Sequence, residues 1–340
     1  MAKLRDLGNF YWSSCPDTGL VSSLARRGVK LVVDLTEGEC SYELPSGVEK
    51  LEYPIPDFSY RAFEGVLVDV VLPVLERIKM GDGVLVHCRG GIGRSGVTVA
   101  MLICLRDNLS KEEVLNRMRR LGFMGETPSQ TLALRWFFRA QRLTNVQWIS
   151  KVVKHLKREG VGALRYWTAY GDHASTVAGV ALDILEAVED TFKLNASDLR
   201  NAYAAGLLHD VGRVFGEDEQ HHETGAVFAL NLKEVKECCN LEVVAKAIFH
   251  HRRQTDLLGD KSLRELGEAA QLVAAAIRLG DAFENAYKWE GVYIGSEKKG
   301  SKLILLLNSD AYNCVNQAYL KAKAEAFTKL TGLKVHVELV

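Results

Sequence analysis

The stretch from Gly83 to Gly96 contains the residues best suited to chemistry in the first half of the chain. Its sequence is Gly-Val-Leu-Val-His-Cys-Arg-Gly-Gly-Ile-Gly-Arg-Ser-Gly. The apolar residues before Cys88 predict a buried strand, and the long apolar run after Arg94 predicts a buried helix. A loop between a strand and a helix N-terminus directs backbone N–H groups at one point. The stretch therefore predicts a site for a tetrahedral phosphate.

The residues of this loop also predict how the phosphate would react. A helix N-terminus and a nearby arginine favour the thiolate form of Cys88, which attacks phosphorus. Arg94 offers a planar fork for two phosphate oxygens, and the Ser95 hydroxyl can hydrogen-bond to the departing sulfur. His87 is expected to orient the loop rather than to react. The predicted phosphate-binding residues are Arg89, Gly90, Gly91, Ile92, Gly93 and Arg94.

Two residues outside the loop complete the predicted chemistry. Pro54-Ile55-Pro56 predicts an extended loop that carries Asp57, a carboxylic acid suited to protonating the leaving oxygen. A simple turn role would also explain this aspartate, but its position ahead of the nucleophile's strand favours the acid. Thr127-Pro128-Ser129-Gln130 predicts a helix start. Gln130 is also expected to position the water that hydrolyses the phospho-cysteine.

These motifs, in this order, resemble those of the small atypical dual-specificity phosphatases, which are cysteine-based enzymes. Asn9-Phe10-Tyr11-Trp12 and Leu35-Thr36-Glu37 extend the resemblance, which covers residues 1–142. It implies an α/β domain with a mixed sheet flanked by helices. It also implies that Cys88 is the nucleophile, Asp57 the general acid and Arg94 the phosphate ligand, with no cofactor at this site.

Histidine and aspartate are concentrated in the second half of the chain. Six of the nine histidines lie beside helical runs: His173, His209, His221, His222, His250 and His251. Asp210 follows His209 directly, and Asp281 comes later. A lone histidine is usually a core or surface residue. Six of them, with two aspartates, predict a site for divalent ions such as Mn, Fe, Co, Ni or Zn.

This second set of residues resembles the HD superfamily of metal-dependent phosphohydrolases. The resemblance implies a mostly α-helical domain over residues 145–340. In the tail from Tyr293 to Val340, strand-like runs at Lys302–Leu307 and Val335–Val340 with a helix between them predict a small α+β element. Two divalent ions are implied, among which Mn, Fe, Co, Ni, Mg and Zn are not distinguished. One ion is implied at His173, His209, Asp210 and Asp281, and the other at Asp210, His221, His250 and His251. His221 is preferred to His222 because it stands four residues before Gly225, and Arg213 is a candidate contact for substrate phosphate.

Composition limits the classes of partner. A hydrophobic content of 47% and a charged content of 25% are typical of a soluble globular protein. A formal net charge of zero argues against a general nucleic-acid or membrane binder. Seven cysteines without a framework spacing favour a reducing cytoplasm.

Both halves indicate hydrolysis of phosphate esters, by different mechanisms. The leading prediction is a bifunctional phosphohydrolase whose two sites act on a phosphorylated small molecule, a nucleotide or a phosphoprotein, in sequence if they share one substrate. The alternative is a protein phosphatase regulated by a nucleotide- or metal-sensing HD domain. A phosphoprotein-binding scaffold is disfavoured because Cys88, Asp57 and Arg94 are all present.

Overall fold

The computed structural model describes residues 3–59, 62–123, 125–160, 173–282, 293–308 and 317–340. The chain forms two compact units, Met1–Phe138 and Arg139–Val340. The sequence predicted domains at 1–142 and 145–340, and these domain limits stay a prediction. The predicted fold class is confirmed: an α/β unit with a mixed sheet precedes a mostly helical unit with a small sheet.

A five-stranded sheet in the order β1-β2-β5-β3-β4 forms the centre of the first unit. Its strands are β1 Arg5–Asp6, β2 Phe10–Ser13, β3 Val29–Asp34, β4 Glu49–Glu52 and β5 Gly83–His87. β1 is antiparallel to β2, and the other neighbours are parallel. Ser13 and Asp34 both pair with His87. Because parallel strands end at the same edge, the loops after β2, β3 and β5 begin side by side.

Helices surround this sheet in sequence order. They are α1 Thr18–Arg26, α2 Phe63–Val66, α3 Leu72–Lys79, α4 Arg94–Asp107, α5 Lys111–Arg120 and α6 Pro128–Leu143, with a π-helical segment Leu67–Val71 between α2 and α3. α4 is buried along most of its length because its residues are apolar on every face. α6 begins at Pro128 as predicted, and Gln130 N donates to Thr127 Oγ1 at 3.4 Å.

A disulfide joins two of the loops at the end of the sheet, although the cysteine spacing predicted no such link. It connects Cys15, after β2, to Cys40, after β3. Cys15 N donates to Arg89 O at 3.0 Å. The disulfide therefore lies beside the predicted phosphate loop.

The second unit is mostly helical. Its helices are α7 Val146–Arg158, α8 His173–Phe192, α9 Ala196–Leu208, α10 His221–Asn231, α11 Lys233–Lys236, α12 Leu241–Phe249, α13 Lys261–Glu265, α14 Glu268–Asp281 and α15 Gln317–Thr331, with 3₁₀ turns at Val211–Val214 and Asp218–Gln220. α8, α9, α12 and α14 pack against one another around a core rich in Ala, Val and Leu. Small residues at these contacts let the helix axes approach closely.

A three-stranded sheet completes the second unit. It consists of β6 Tyr293–Lys299, β7 Lys302–Leu307 and β8 Lys334–Leu339, in the order β6-β7-β8. β7 has the predicted limits, and β8 starts one residue before the predicted strand. α15 precedes β8 and packs against α14. Among the described residues, no helix is both long and apolar enough to cross a membrane.

The crossing of α8 and α9 depends on a glycine. A Cβ added at Gly206 would lie 2.8 Å from both the Cβ and the N of Ala178. We expect Gly206→Ala to lower the free energy of unfolding by roughly 1–3 kcal/mol through overpacking, although alanine favours a helix over glycine by about 1 kcal/mol. Urea unfolding measures the change. A gain in stability would contradict the close approach of the two helices.

Candidate functional sites

The predicted phosphate loop joins β5 to α4 and differs in burial along its length. Arg89 and Gly90 are exposed and Ile92 is half-buried, whereas Gly91, Gly93 and Arg94 are buried. The loop therefore has a wet outer rim and a desolvated inner part, where charges interact more strongly.

Hydrogen-bond donors surround the sulfur of Cys88. Gly91 N donates to Sγ at 3.3 Å, and Ser95 Oγ lies 3.1 Å from Sγ. Trp12 Nε1 donates to Ser95 Oγ at 2.8 Å. Because the hydroxyl accepts from Trp12, its own hydrogen is free to point at the sulfur. These donors can stabilise negative charge on the sulfur.

A buried arginine that the sequence did not single out supports the same loop. Arg5 Nη1 donates to Gly91 O at 3.0 Å, and Arg5 Nε donates to Leu121 O at 2.7 Å. Its guanidinium carbon lies 3.8 Å from the centre of the Trp12 ring. Burial lowers the pKa of Arg5, and the nearby Cys88 charge opposes this effect. Only the fold brings this cation to the loop, because no local motif marks it.

Two glycines are required by close contacts of the loop. Gly91 has φ +66°, and a Cβ there would lie 2.7 Å from Ser14 Cα. A Cβ on Gly93 would lie 2.8 Å from Gln130 Cδ. The loop is thus held between the residues after β2 and the start of α6, which brings Gln130 to the site.

Arg94 is buried and connects the loop to two acids. Nη1 donates to Ile55 O at 2.8 Å, and Nη2 lies 2.9 Å from Asp57 Oδ1 and 3.1 Å from Glu39 Oε2. Its Nε is buried and has no hydrogen-bond partner within the described ranges. An unpaired buried donor costs about 1–3 kcal/mol. A phosphate oxygen would satisfy it.

The loop that carries Asp57 is fastened to the start of α6. Phe58 has φ +60°, and its carbonyl accepts from Thr127 Oγ1 at 2.9 Å and from Ser129 Oγ at 3.3 Å. Gln130 Oε1 accepts from a backbone N–H at 2.8 Å, while its Nε2 is buried and unpaired among the described residues. The acid and the amide therefore lie on the same side of the loop as Arg94.

His87 belongs to a buried polar network below the loop. Its Nε2 lies 2.8 Å from Tyr42 Oη and 3.8 Å from Asp34 Oδ1. Asp34 Oδ2 in turn lies 2.9 Å from Lys50 Nζ. Burial lowers the pKa of His87 to about 4, although Asp34 opposes that effect. A neutral imidazole tied to the neighbouring strands is consistent with an orienting role.

Four side chains at helix ends in the second unit form the first ligand group: His173, His209, Asp210 and Asp281. The two imidazole Nε2 atoms lie 3.0 Å apart, and Asp281 Oδ1 lies 3.3 Å from His173 Nε2. Asp210 Oδ2 lies 3.6 and 3.7 Å from the two imidazole nitrogens. Donor atoms on one ion, with bonds of about 2.1 Å, lie roughly 3.0–3.4 Å apart. The group fits a divalent ion with little adjustment.

The second ligand group shares Asp210 with the first. Asp210 Oδ1 lies 3.0 Å from His221 Nε2 and 3.6 Å from His251 Nε2, and these two nitrogens lie 3.0 Å apart. The two carboxylate oxygens of Asp210 therefore face different groups. His222 lies outside this group, with its Nε2 3.9 Å from Glu223 Oε1. The choice of His221 as a metal ligand stays a prediction.

Backbone carbonyls set the tautomers of two ligands. His209 Nδ1 lies 2.8 Å from Gly206 O, and His251 Nδ1 lies 2.6 Å from Ile248 O. Because a carbonyl only accepts, each Nδ1 carries the hydrogen and each Nε2 presents a lone pair. Burial lowers the pKa of His209 to about 4 and the pKa of His251 well below its usual value. Both are neutral at neutral pH, the form that binds metals.

Asp210 is ionised in spite of its burial. Burial raises the pKa of Asp210, but nearby His209 and the hydrogen bond from His221 outweigh this effect and hold the pKa well below its usual value. Arg213 Nε lies 2.9 Å from Asp210 Oδ2. The structure thus brings Arg213 to the ligand groups, where the sequence expected a substrate contact.

The structure does not bring His250 to the second group, contrary to the prediction. Its Nε2 lies 2.9 Å from Asp260 Oδ2, and its Nδ1 lies 3.1 Å from Thr255 Oγ1. Adjacent residues at a helix end point in directions about 100° apart, because the helix has 3.6 residues per turn. Only His251 of this pair can face Asp210.

One cation near the ligand groups was not predicted. Lys323, on α15, is fully buried, and its ammonium pairs with Asp281 Oδ2. A lysine on an amphipathic helix usually marks a solvated face, so the sequence carried no signal for this position.

Comparison with known families assigns both units. Residues 8–107 match the family model of the DSP-PTPase phosphatase of polymorphic toxin systems, and residues 170–286 match that of the HD domain. The chain therefore carries a dual-specificity-phosphatase-type domain followed by an HD domain, as the motifs predicted.

Two curated proteins and one solved structure are similar to part of this chain. The protein 197R of Invertebrate iridescent virus 6, whose name assigns it provisionally to the tyrosine phosphatases, is 26% identical over 137 residues, which cover 38% of this chain and 50% of that one. Dual specificity protein phosphatase 9 of Homo sapiens is 30% identical over 134 residues, which cover 35% and 34%. The chain thus spans half or less of these relatives. The solved structure of Tk-PTP is 33% identical, over 41% of this chain and 96% of that one, with a TM-score of 0.36.

Burial of His87 makes the stability of the first unit depend on pH. Its pKa is about 4 in the folded chain and roughly 6.5 in an unfolded one. The unfolded chain therefore binds more protons between these values, and stability is lost as pH falls from 6.5 toward 4. The free energy of unfolding of wild type should fall between about pH 7 and about pH 4.5. We expect this fall to be smaller in His87→Gln, by up to about 3 kcal/mol.

Urea unfolding at the two pH values measures this difference. His336→Gln, at a partly exposed histidine in β8, is the control and should keep the wild-type pH dependence. An equal loss in His87→Gln and wild type would show that His87 titrates normally in the folded chain.

Proposed function

We propose that this chain is a bifunctional phosphohydrolase. The first unit would hydrolyse phosphomonoesters through a phospho-cysteine, and the HD unit would hydrolyse phosphoesters or phosphodiesters with two divalent ions. The observation that supports this proposal is that, in each unit, side chains suited to phosphate-ester hydrolysis lie close together. In the first unit these groups surround the sulfur of Cys88. In the second unit they surround the carboxylate of Asp210.

In the first step, the Cys88 thiolate attacks phosphorus, so that an S–P bond forms as the P–O ester bond breaks. Asp57 gives its proton to the leaving oxygen, which departs as a neutral alcohol. Arg94 turns its fork from the two acids to the phosphate oxygens, and its unpaired Nε gains a partner. The negative charge that develops on these oxygens is met by the backbone donors of the loop.

In the second step, water attacks the same phosphorus and the S–P bond breaks. The Asp57 carboxylate takes the proton of the water, and the unpaired Nε2 of Gln130 holds the water oxygen in place. Ser95 donates to the sulfur, which leaves as a thiolate. The products are an alcohol and inorganic phosphate, and the site returns to its initial state.

The side chains of the HD unit fit two divalent ions. His173, His209, Asp210 and Asp281 would hold one, and Asp210, His221 and His251 would hold the other. When bound, such a pair supplies an activated water and stabilises charge on phosphate oxygens. Arg213, 2.9 Å from Asp210, would bind a further phosphate oxygen. With only three protein ligands, an ion at the second group would have room for water and substrate.

The fusion of the two units favours a relay on one substrate. Hydrolysis of a phosphodiester yields a phosphomonoester, which is the substrate class of the Cys88 site. We propose that the HD site acts first and that the Cys88 site removes the phosphate that remains. Mixing the purified full chain with a diester should then release inorganic phosphate, and Cys88→Ser should accumulate the monoester instead.

Two variants test the two sites separately. Both variants are assayed with phosphomonoesters, phosphodiesters and nucleotides. Cys88→Ser should lower the EDTA-resistant phosphomonoesterase activity by at least about 10³-fold. Asp210→Ala should keep that activity and lose a second one that needs Mn²⁺. If every activity followed Cys88 and none needed metal, the HD unit would be regulatory, as in the alternative function.

The adjacent histidines provide a matched test of the metal groups. Because His251 faces Asp210 and His250 faces Asp260, we expect His251→Asn to bind one Mn²⁺ fewer than wild type. His250→Asn should keep the wild-type number, with a loss of stability only. Metal content after dialysis, measured by mass spectrometry, gives the stoichiometry. The reverse pattern would reinstate His250 as the ligand and refute the second group.

A further inference from the structure

A lysine from outside the segment that matches the HD domain reaches the first ligand group. Lys323 follows the matched residues 170–286. It lies on α15, which packs against α14, the helix that ends at Asp281. Its side chain has 0% exposure, and its ammonium pairs with Asp281 Oδ2. A lysine this deeply buried needs a partner that compensates its charge, because burying an ammonium costs several kcal/mol.

The contacts of Asp281 show what the lysine does. Asp281 Oδ1 lies 3.3 Å from His173 Nε2 and 3.8 Å from His209 Nε2. Its other oxygen, Oδ2, faces Lys323. The carboxylate is therefore divided: one oxygen belongs to the ligand group and the other to the lysine. This division fixes the plane of the carboxylate and leaves a single oxygen for an ion.

Lys323 itself is held in place on its own helix. Its Nζ lies 4.9 Å from the centre of the Tyr319 ring, which stabilises a cation. With no exposed surface, it is poorly placed to meet a substrate directly. Groups that hold a metal ligand from behind are common around metal sites, and their loss weakens metal binding.

We propose that Lys323 is a positioning residue of the HD metal centre: it holds Asp281 Oδ2 so that Oδ1 binds the first ion. The inference rests on the proposed metal centre. It assigns to the C-terminal α+β segment, outside the HD match, a direct part in building that centre.

Removal of the ammonium tests this role in the full chain. Lys323→Met keeps the length of the side chain, and Lys321→Met, at an exposed position on the same helix, is the matched control. We expect Lys323→Met to bind one of two Mn²⁺ ions about 10–100-fold more weakly and the other unchanged. Lys321→Met should bind both as wild type does. Calorimetric titration with Mn²⁺ gives both affinities.

A double-mutant cycle shows whether Lys323 acts through Asp281. In an Asp281→Asn background, Lys323→Met should cause no further loss of affinity. An additive loss would overturn the assignment, as would unchanged or tighter binding by Lys323→Met alone. A wild-type protein that binds no Mn²⁺ would instead overturn the metal centre itself.

Folding is checked independently of metal. Circular dichroism and thermal melting in EDTA show whether Lys323→Met folds. We expect a folded protein with a lower melting temperature, because the variant leaves the Asp281 carboxylate without its cation. If that variant unfolds, Lys323→Gln keeps a donor at this position, and we expect a smaller weakening at the same ion. Suppose that Lys323→Met unfolds while Lys323→Gln folds and binds both ions as tightly as wild type. The lysine would then serve only in packing, and the proposal would be refuted.

Discussion

The second unit depends on one buried carboxylate that two groups of side chains share. Asp210 has each oxygen directed at a different pair of imidazoles. A carboxylate removed from water stays charged only if its surroundings compensate for the lost hydration. The side chains around Asp210 lie at the ends of α8, α9, α10, α12 and α14. The packing of these helices therefore determines the geometry of the ligand groups. Gly212 shows how tight it is: a Cβ there would lie 2.6 Å from Gly225 N, at the contact between the 3₁₀ turn and α10.

The first unit has the opposite electrostatic arrangement, because it gathers hydrogen-bond donors at a place suited to an anion. Arg94 Nε at the end of the loop and Gln130 Nε2 on α6 are buried and have no hydrogen-bond partner in the described part of the chain. Such donors reduce the stability of the free protein, and they are what an anionic ligand would use. The acids near Arg94 act as its partners until an anion arrives. Both units thus keep polar groups buried, and in each case the groups are those that the proposed chemistry needs.

Features coded by adjacent residues could be predicted from the sequence, and features made by distant ones could not. The strand, loop and helix around Cys88 follow from a local apolar pattern and local glycines, and the mixed sheet and helical second unit were confirmed. Glu39 reaches the loop because β3 and β5 are parallel and end at one edge. Arg5 reaches it because β1 is antiparallel to β2 and begins at that edge. For His250 the sequence showed a pair but not the direction of each ring, and that direction depends on where α12 ends. The disulfide of the first unit is likewise a product of two loops meeting.

The position of Lys323 affects the order in which the centre is assembled during synthesis. The ribosome makes His173 first and Lys323 last among the residues gathered there. Until α15 emerges and packs on α14, Asp281 lacks the cation that compensates it, and the nascent unit exposes the apolar side of α14. Loading of the first ion should therefore be a late event that follows docking of the C-terminal helix.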